Sequence, residues 1–437
     1  MDATRAAAAA RPSRPGTARL PWLAILAVPP ALVLADYTIA FARGWTTSSD
    51  RWQVVAGLAA LWLLGVGWLA VTRRGRERFR RSGGRLVALV VSLALSWLLA
   101  EFVVALALRP VAHFHLASPG MHSVFPPNPA VIRGIFDASH YRANSQGIRG
   151  PEWPARDDAL RILCVGGSTT ECVRLDDDET WPQRFAASLA ARPAAPGGRV
   201  WVGDVGRSGF STRAHVELME NAELLTQVEW LVFLVGINDL LAGLRGERID
   251  RPLGVAPLIE RSPLLQVIDR IRHTRRMQRR HRQETADAAM YVTGRRNRLA
   301  AVRASAADFP DLHATRIEYR RNLERIADRC AELGVQVAFA TQPVLWRTDL
   351  PASDDATLWL GMQRDGRAAD VGALARAMEE FNDVLRSVCA ERGLDCIELA
   401  ELSGHAELFY DDCHFTEAGA QAVGDAVATW FRHRVPR

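Results

Sequence analysis

Three long apolar runs within the first 108 residues constrain this chain more than any other feature. They span Leu20–Ala42, Val54–Val71 and Leu86–Leu108, and each is close to the ~20 residues that a helix needs to cross roughly 30 Å of hydrocarbon. A cleaved signal peptide is the alternative for the first run, but its apolar core is long and two further runs follow it. The pattern predicts a membrane anchor of three transmembrane helices over residues 1–109.

The distribution of arginine predicts how these helices are oriented. Seven arginines lie between the second and third runs, from Arg73 to Arg85, whereas the loop between the first two runs contains only two, Arg43 and Arg51. Arginine-rich short loops stay in the cytoplasm, and the arginine-bearing N-terminus is then predicted to lie there too. The third helix would deliver the rest of the chain to the extracytoplasmic side of a bacterial inner membrane, which is the periplasm.

Charge and cysteine usage exclude several other classes of protein. The net charge of +5 would suit an anionic partner, but the chain has no lysine and is rich in alanine, which is typical of a GC-rich coding sequence. We therefore predict no nucleic-acid partner. Six cysteines are too few for a disulfide scaffold and lack paired metal-ligand spacing, so we predict no metal and no organic cofactor.

A regular alternation of short strands and helices begins near residue 161. Before it, residues 110–160 are rich in Pro, Gly, His and Asn and are interpreted as a linker leading into a domain. The β-branched runs are Arg161–Val165, Val200–Val205, Trp230–Val235, Val335–Thr341 and Asp395–Leu399, and the clearest helical stretches are Trp181–Ala191, Tyr319–Leu333 and Gly372–Arg392. This order predicts an α/β domain over 161–437, with parallel strands, right-handed crossovers and a site at the carboxyl ends of the strands.

One segment interrupts this alternation, at about residues 241–314. It contains seven arginines between Arg270 and Arg282. A cap over the site, or a basic face held against anionic lipid headgroups, is one interpretation. A solvated helical insertion in an arginine-biased protein is favoured over it.

Polar and glycine-rich blocks follow the predicted strand ends, and the last one precedes the final helix. They are Gly166-Gly167-Ser168-Thr169, Asp204-Val205-Gly206-Arg207-Ser208-Gly209, Gly236-Ile237-Asn238-Asp239 and Asp411-Asp412-Cys413-His414. A serine hydroxyl attacks well only when a base removes its proton, and histidine suits that role near neutral pH. Ser168 and His414 are therefore the predicted nucleophile and base, and Asp411 is placed to orient the imidazole.

The oxyanion formed by such an attack needs hydrogen-bond donors. The backbone N–H groups of Ser168 and Gly206 and the side-chain amide of Asn238 are the predicted donors. Taken singly, each block has an ordinary explanation, such as a turn or a helix cap. Their joint occurrence in this order favours catalysis.

The same blocks resemble the SGNH/GDSL hydrolase superfamily, from about Ile162 to the C-terminus. The resemblance implies a flavodoxin-like three-layer α/β/α fold with a five-stranded parallel sheet, and hydrolysis of esters that range from lipids to acylated glycans. In this family the triad acid lies three residues before the histidine, which implies that Asp411 rather than Asp412 is the acid that orients His414. The chain departs from the family pattern at Gly167, where the family name has Asp, and at Asp204, where many members have Asn.

These features predict a membrane-anchored, extracytoplasmic serine esterase that works through an acyl-serine. Transfer of acyl groups to cell-envelope polysaccharide is the alternative, and a non-catalytic envelope scaffold is disfavoured because all four block residues are present. The pairing of Ser168 with His414 would also bring Cys172 and Cys413 close together. They are predicted either to form a disulfide or to pack as two small buried side chains.

Overall fold

The structure is a computed structural model of the 437-residue chain. It describes residues 71–107, 116–126 except 118, 132–154, 159–191, 199–247 except 222, 293–302 except 295 and 298, and 308–434, with single positions 61, 64 and 68. The chain divides into two compact units. Within the described residues the first unit contains the long helix α1 (Arg73–Ala107), and the second contains all the other elements named below.

Helix α1 differs from the prediction for this region. It begins at Arg73, inside the segment predicted to be a cytoplasmic loop, and continues through the third apolar run. In the part of the chain that the structure describes, no helix is both long and apolar enough to cross a membrane. The three predicted spans are therefore not supported, and the first span and most of the second lie outside the described residues.

The second unit contains seven strands within the described residues. They are β1 (His122–Phe125), β2 (Ser139–Arg142), β3 (Leu160–Gly166), β4 (Val200–Asp204), β5 (Trp230–Leu234), β6 (Gln336–Ala340) and β7 (Asp395–Ile397). Among its helices are α2 (Ser168–Glu171), α3 (Trp181–Ala191), α4 (Thr212–Asn221), α5 (Ile237–Leu244), α6 (His313–Leu333), α7 (Ala352–Asp355), α8 (Val371–Arg392) and α9 (Glu417–Arg434).

Strands β3 to β7 form a five-stranded parallel sheet in the order β4-β3-β5-β6-β7. This confirms the predicted α/β fold with a five-stranded parallel sheet. The strands could be recognised in the sequence because helices cover both faces of such a sheet, so each strand is a nearly continuous buried apolar run. The order reverses beside β3, which is the switch point where sheets of this kind place their sites.

The helices pack in two groups. Helices α3 and α9 contact each other, while α6 contacts both α4 and α8. The chain passes from β3 to β4 on one side and then to β5, β6 and β7 on the other. Because each crossover is right-handed, this reversal places the two groups of helices on opposite faces of the sheet. Helix α8 begins at an Asp370 cap that accepts the N–H of Ala373, and it ends at Gly393, whose positive φ of 63° suits glycine.

The stretch interpreted as a linker contains structure of its own. Strands β1 and β2 pair antiparallel, with Ser123 opposite Tyr141. Ile148 is fully buried, and Arg149 forms an antiparallel bridge with Asp204 of the main sheet. These strands are only four residues long and lack a long apolar run, so hydropathy does not reveal them.

Two helices overlap the ends of the insertion predicted at about residues 241–314, whose extent stays a prediction. Helix α5 continues to Leu244, and Leu312 already caps helix α6. The arginine cluster between Arg270 and Arg282 lies outside the described residues.

Candidate active site

Ser168 is the first residue of helix α2, directly beyond the carboxyl end of β3. Two glycines make the sharp turn possible because neighbouring groups occupy the space of a side chain. A Cβ atom on Gly166 would lie 2.5 Å from the carbonyl oxygen of Leu234, and one on Gly167 would lie 2.3 Å from Asn238 Nδ2. The serine hydroxyl is therefore presented half-buried at the sheet's switch point.

The structure brings Ser168, His414 and Asp411 together in one hydrogen-bonded line. His414 Nε2 lies 2.7 Å from Ser168 Oγ. The other ring nitrogen, Nδ1, lies 2.7 and 2.9 Å from the two carboxylate oxygens of Asp411. Asp411 is fully buried and also accepts the backbone N–H groups of Cys413 and His414. These contacts fix the imidazole with one nitrogen facing the carboxylate and the other facing the serine.

The environment of His414 favours its protonated form. Burial alone lowers the pKa of His414, but the nearby charge of Asp411 and its hydrogen bond to the ring, together with Cys413 and Tyr410, raise that pKa well above its ordinary value. Tyr410 also stacks on the imidazole, with ring centroids 5.5 Å apart and planes 10° from parallel. The imidazolium that forms when the serine is deprotonated is thus stabilised.

Asp412 makes a separate set of contacts on the opposite side of the same loop. It accepts hydrogen bonds from Trp346 Nε1 and from the backbone N–H groups of Trp359 and Leu360, at 2.8–3.0 Å. Burial and the neighbouring Asp411 raise the pKa of Asp412 to about 6. It contacts no atom of His414 among these bonds, so it anchors the loop between β6 and α8 to the histidine loop.

Gly206 does not have the role predicted for it. Its N–H donates to Asp204 Oδ1 at 2.7 Å. It is glycine because helix α2 packs against it: a Cβ atom would lie 2.2 Å from the backbone nitrogen of Glu171. The close approach that requires a glycine is therefore made by the protein's own backbone, and this N–H is not available to an oxyanion.

Gly209, three residues further along the same loop, fits the role that Gly206 does not. It is exposed, its φ is +83°, and no atom lies within 4 Å of the position that a Cβ would take. Its N–H has no hydrogen-bond partner within the described residues. The sequence signal that could have identified Gly209 is the presence of two glycines in this block, at positions 206 and 209. The first is needed where the chain turns out of β4, which leaves the second as the candidate donor.

Asn238 lies beside this loop. It is half-buried, and its Nδ2 donates to the carbonyl of Phe210 at 2.9 Å, which leaves a second N–H on the same nitrogen. Asp239 accepts the N–H and hydroxyl of Thr212, and burial raises the pKa of Asp239 to about 7. These two adjacent residues attach the start of helix α5 to the loop that carries Gly209.

A polar network centred on the buried Glu171 holds the Gly209 loop from its other side. Glu171, the last residue of helix α2, accepts both the N–H and the hydroxyl of Ser208. Arg207 approaches Glu171 and donates to the carbonyl of Leu116 at 2.6 Å. The nucleophile helix and the glycine loop are therefore joined by direct polar contacts.

The sequence matches the GDSL-like Lipase/Acylhydrolase family over residues 164–422, which is more than half of the chain. The chain belongs to this family. It is an ester-bond hydrolase of the SGNH superfamily, and the match includes all the site residues named above.

Solved structures similar to this acylhydrolase include several esterases. LAE5, an α/β hydrolase from the metagenome of Lake Arreo, shares 14% identity with a TM-score of 0.37, over 63% of this chain and 97% of its own. The acetyl xylan esterase AlAXEase shares 11% identity with a TM-score of 0.37, over 62% and 98%. The acetylxylan esterase Axe2 from Geobacillus stearothermophilus shares 13% identity with a TM-score of 0.36, over 63% and 96%. No curated protein matches the sequence.

All six cysteines of this acylhydrolase are free thiols in the structure. Cys172 and Cys413 are both buried near His414 but form no disulfide, so the alternative of two packed small side chains is the one observed. Burial raises the pKa of Cys172 to about 12 and that of Cys413 to about 11. Neither thiol is ionised near neutral pH.

One group of possible metal ligands exists within the described residues, formed by Asp411, Cys413 and His414 with ligand atoms within 4.8 Å of one another. A metal there would need the Cys413 thiolate, which burial disfavours, and the His414 Nδ1 that Asp411 already holds. This chemistry suits a hydrogen-bonded acid and base better than a metal site.

Proposed function

We propose that this acylhydrolase cleaves carboxylic esters through an acyl-serine intermediate on Ser168. The contact of 2.7 Å between Ser168 Oγ and His414 Nε2 carries this proposal, because it gives the hydroxyl a base within proton-transfer distance. Asp411, fully buried against Nδ1, supports it by holding the imidazole in the tautomer that can accept the serine proton.

The reaction follows from these positions. Ser168 Oγ attacks the ester carbonyl while its proton passes to His414 Nε2, and the C=O bond becomes a C–O⁻ oxyanion. As the carbonyl re-forms, the bond to the alcohol breaks and His414 returns the proton to the leaving oxygen. Water then enters by the same route: His414 takes its proton, the hydroxide adds to the acyl carbon, and Ser168 leaves as the protonated hydroxyl.

Three donors are suitable for the oxyanion. They are the N–H of Ser168 at the start of helix α2, the N–H of Gly209, and the second amide N–H of Asn238. Because the loops that carry them are tied together by the Glu171–Ser208 and Asp239–Thr212 bonds, the donors are held in place before the substrate binds.

The test is covalent labelling of the purified full-length protein. A fluorophosphonate probe should modify Ser168, as located by peptide mass spectrometry, and a short aryl ester should be hydrolysed. Ser168→Ala should lose both activities, whereas Ser387→Ala, an exposed serine of helix α8, should retain both. Labelling that persists in Ser168→Ala would refute the proposal. Adding a sugar acceptor tests acyl transfer, because an acylated sugar product would make the protein a transferase.

The same proposal includes an extracytoplasmic location on the inner membrane. It is supported by the arginine asymmetry of the N-terminal loops and by the exposed apolar side chains of helix α1, among them Leu98, Leu99 and Phe102. Alkaline phosphatase fused after Arg437 should be active and a cytoplasm-dependent reporter at the same position inactive. The opposite pattern would place the catalytic unit in the cytoplasm.

A further inference from the structure

Two cysteines outside the catalytic site lie where helix α8 turns into strand β7. Cys389 is in the last turn of the helix, and Cys396 is the middle residue of the strand. The chain reverses between them at Gly393, and the N–H of Leu394 donates to the carbonyl of Cys389 at 2.8 Å. The side chains of the two cysteines therefore start from neighbouring backbone segments.

The two sulfur atoms of this pair approach each other. Cys389 Sγ lies 3.7 Å from the carbonyl oxygen of Asp395, whose carbonyl carbon is bonded to the nitrogen of Cys396. The two thiols are also within hydrogen-bonding reach of each other. A disulfide requires neighbouring backbone segments and side chains that point toward one another. The tight turn supplies the first condition and the contact between the thiols supplies the second.

Strand β7 is the part of the main sheet that a crosslink would help most. It has three residues, whereas β3 to β6 have five to seven. It also lies at the edge of the sheet, and within the described residues it pairs only with β6. Few ladder hydrogen bonds hold so short an edge strand. Helix α8 is 22 residues long and buries side chains along its whole length, so it is a firm point of attachment.

The two thiols differ in how readily they react. Cys396 is half-buried, whereas Cys389 is 2% exposed. The hydrogen bond from Cys389 lowers the pKa of Cys396, while the same hydrogen bond, together with burial, raises the pKa of Cys389. The thiolate rather than the thiol is the nucleophile in disulfide exchange. Cys396 is therefore the residue that meets an oxidant first, and Cys389 is placed to react second.

We propose that Cys389 and Cys396 form a redox-sensitive disulfide that fastens β7 to the end of α8, and that the structure holds its reduced form. The oxidant is another disulfide, such as oxidised glutathione. The Cys396 thiolate attacks one sulfur of the oxidant, forms a mixed disulfide and releases one thiol. Cys389 then loses its proton and attacks Cys396 Sγ, which releases the second thiol. The two protein thiols are oxidised, the oxidant is reduced, and the two protons lost by the cysteines end on the two released thiols.

This disulfide is independent of the proposed esterase chemistry. Strand β7 is separated from β3, the strand that leads to Ser168, by β5 and β6. Oxidation should therefore change the stability of the fold and leave catalysis nearly unchanged. The extracytoplasmic location proposed above would favour the oxidised form, since disulfides persist in oxidising compartments.

Disulfide mapping tests the bond directly. The purified full-length protein is equilibrated with excess oxidised or excess reduced glutathione, unfolded in N-ethylmaleimide to trap free thiols, and digested. Peptides joined through Cys389 and Cys396 should dominate after oxidation and disappear after reduction, while the buried Cys164 and Cys330 should be alkylated in both samples. Alkylation of both Cys389 and Cys396 in the oxidised sample, or glutathione retained on Cys396, would overturn the proposal.

Thermal unfolding measures what the bond does for the fold. The midpoint for the wild-type protein should be about 5 °C or more higher after oxidation than after reduction. Cys396→Ser should abolish this difference, whereas Cys172→Ser, which removes the neighbouring partner of Cys413, should retain it. A difference that persists in Cys396→Ser, or a wild-type midpoint that oxidation does not raise, would show that the bond does not fasten β7. Neither measurement needs a substrate, so both stand if the esterase proposal fails.

Discussion

Arg149 Nη1 lies 2.6 Å from the carbonyl oxygen of Glu171, the residue that ends the short helix begun by Ser168. All five N–H groups of this buried guanidinium are used, since it also donates to the carbonyls of Cys172, His140 and Leu175 and to Asp177. The region before the sheet therefore holds the segment that carries the nucleophile.

The first prediction follows from this contact. Arg149→Lys keeps the charge but cannot reach so many acceptors, so it should lower kcat at nearly constant KM and should destabilise the fold by about 3–5 kcal/mol. Cys172 has a left-handed φ of 46°, which is strained for a residue other than glycine. Cys172→Gly should relieve that strain, so the loss of kcat caused by Arg149→Lys should be smaller in the Cys172→Gly background. Equal losses in both backgrounds would show that Arg149 acts only on stability.

The second prediction concerns the pH dependence of catalysis. His414 must be neutral to accept the serine proton, and Asp411 raises the pKa of His414 well above its ordinary 6.5. Activity should therefore rise with pH through an acidic limb of kcat/KM that lies above pH 6.5. Asp411→Asn removes the charge that raises this pKa, so the limb should move to lower pH while kcat falls roughly 10³- to 10⁴-fold. A limb that stays in place would contradict this assignment.

The third prediction separates the two adjacent aspartates. Asp412→Ala leaves three donors, including the buried Trp346 Nε1, without an acceptor, so it should cost about 3 kcal/mol of stability. Asp411→Ala should cost far more activity than Asp412→Ala when both are assayed well below their unfolding temperatures. Thermal unfolding and kcat, measured on the same preparations, decide the matter. A greater loss of kcat in Asp412→Ala would refute the proposed triad.

The fourth prediction tests the oxyanion donors. Asn238→Ala should lower kcat by roughly 100- to 1000-fold with a much smaller effect on substrate binding. Gly209→Ala places a side chain where φ is +83°, so it should displace the N–H and lower kcat in the folded protein. Gly206→Ala should instead unfold or strongly destabilise the protein, because its Cβ atom would meet the backbone of helix α2. If Gly206→Ala folds normally and only kcat falls, Gly206 is the donor after all.

The fifth prediction concerns stability and pH. Burial raises the pKa of Asp204 to about 7, and its Oδ2 atom has no hydrogen-bond partner within the described residues. A carboxyl whose pKa is higher in the folded than in the unfolded chain stabilises the fold when protonated, and this contribution is lost as pH rises from about 4 to 7. Asp204→Asn can keep the bond to Gly206 N–H, so the difference in unfolding free energy between pH 5 and pH 8 should shrink by on the order of 2 kcal/mol. Urea unfolding at the two pH values measures this difference. If it is the same in Asp204→Asn as in the wild-type protein, the raised pKa is contradicted.

The fold was largely predictable because its strands are buried on both faces. Val200–Asp204 and Trp230–Leu234 are apolar runs bounded by turn residues, and helix α3 has the predicted limits Trp181–Ala191. Strands β1 and β2 could not be recognised, because each is four residues long and only partly buried. Their place in the fold depends on long-range contacts such as those of Arg149, which no local pattern encodes.

The site was predictable to the extent that chemistry fixes residue type and order. Ser168, Asp411 and His414 meet as expected because parallel strands and the last loop converge on one edge of the sheet. Gly206 was predicted as a donor, but its N–H already donates to Asp204 in the structure. A glycine can serve close approach to a ligand or to the protein's own backbone, and sequence does not distinguish the two.

The adjacent carboxylates Asp411 and Asp412 bind different parts of the protein, the His414 ring and the backbone at Trp359. Neither part can therefore move without affecting the other. The first carboxylate orients the proton carrier, while the second grips the backbone on which Trp359 stands. A substitution that shifted the backbone around Trp359 would therefore also tilt the imidazole of His414. The loop between β6 and α8 should therefore tolerate little variation near Trp359, because a shift there is passed through Asp412 and Asp411 to the catalytic base.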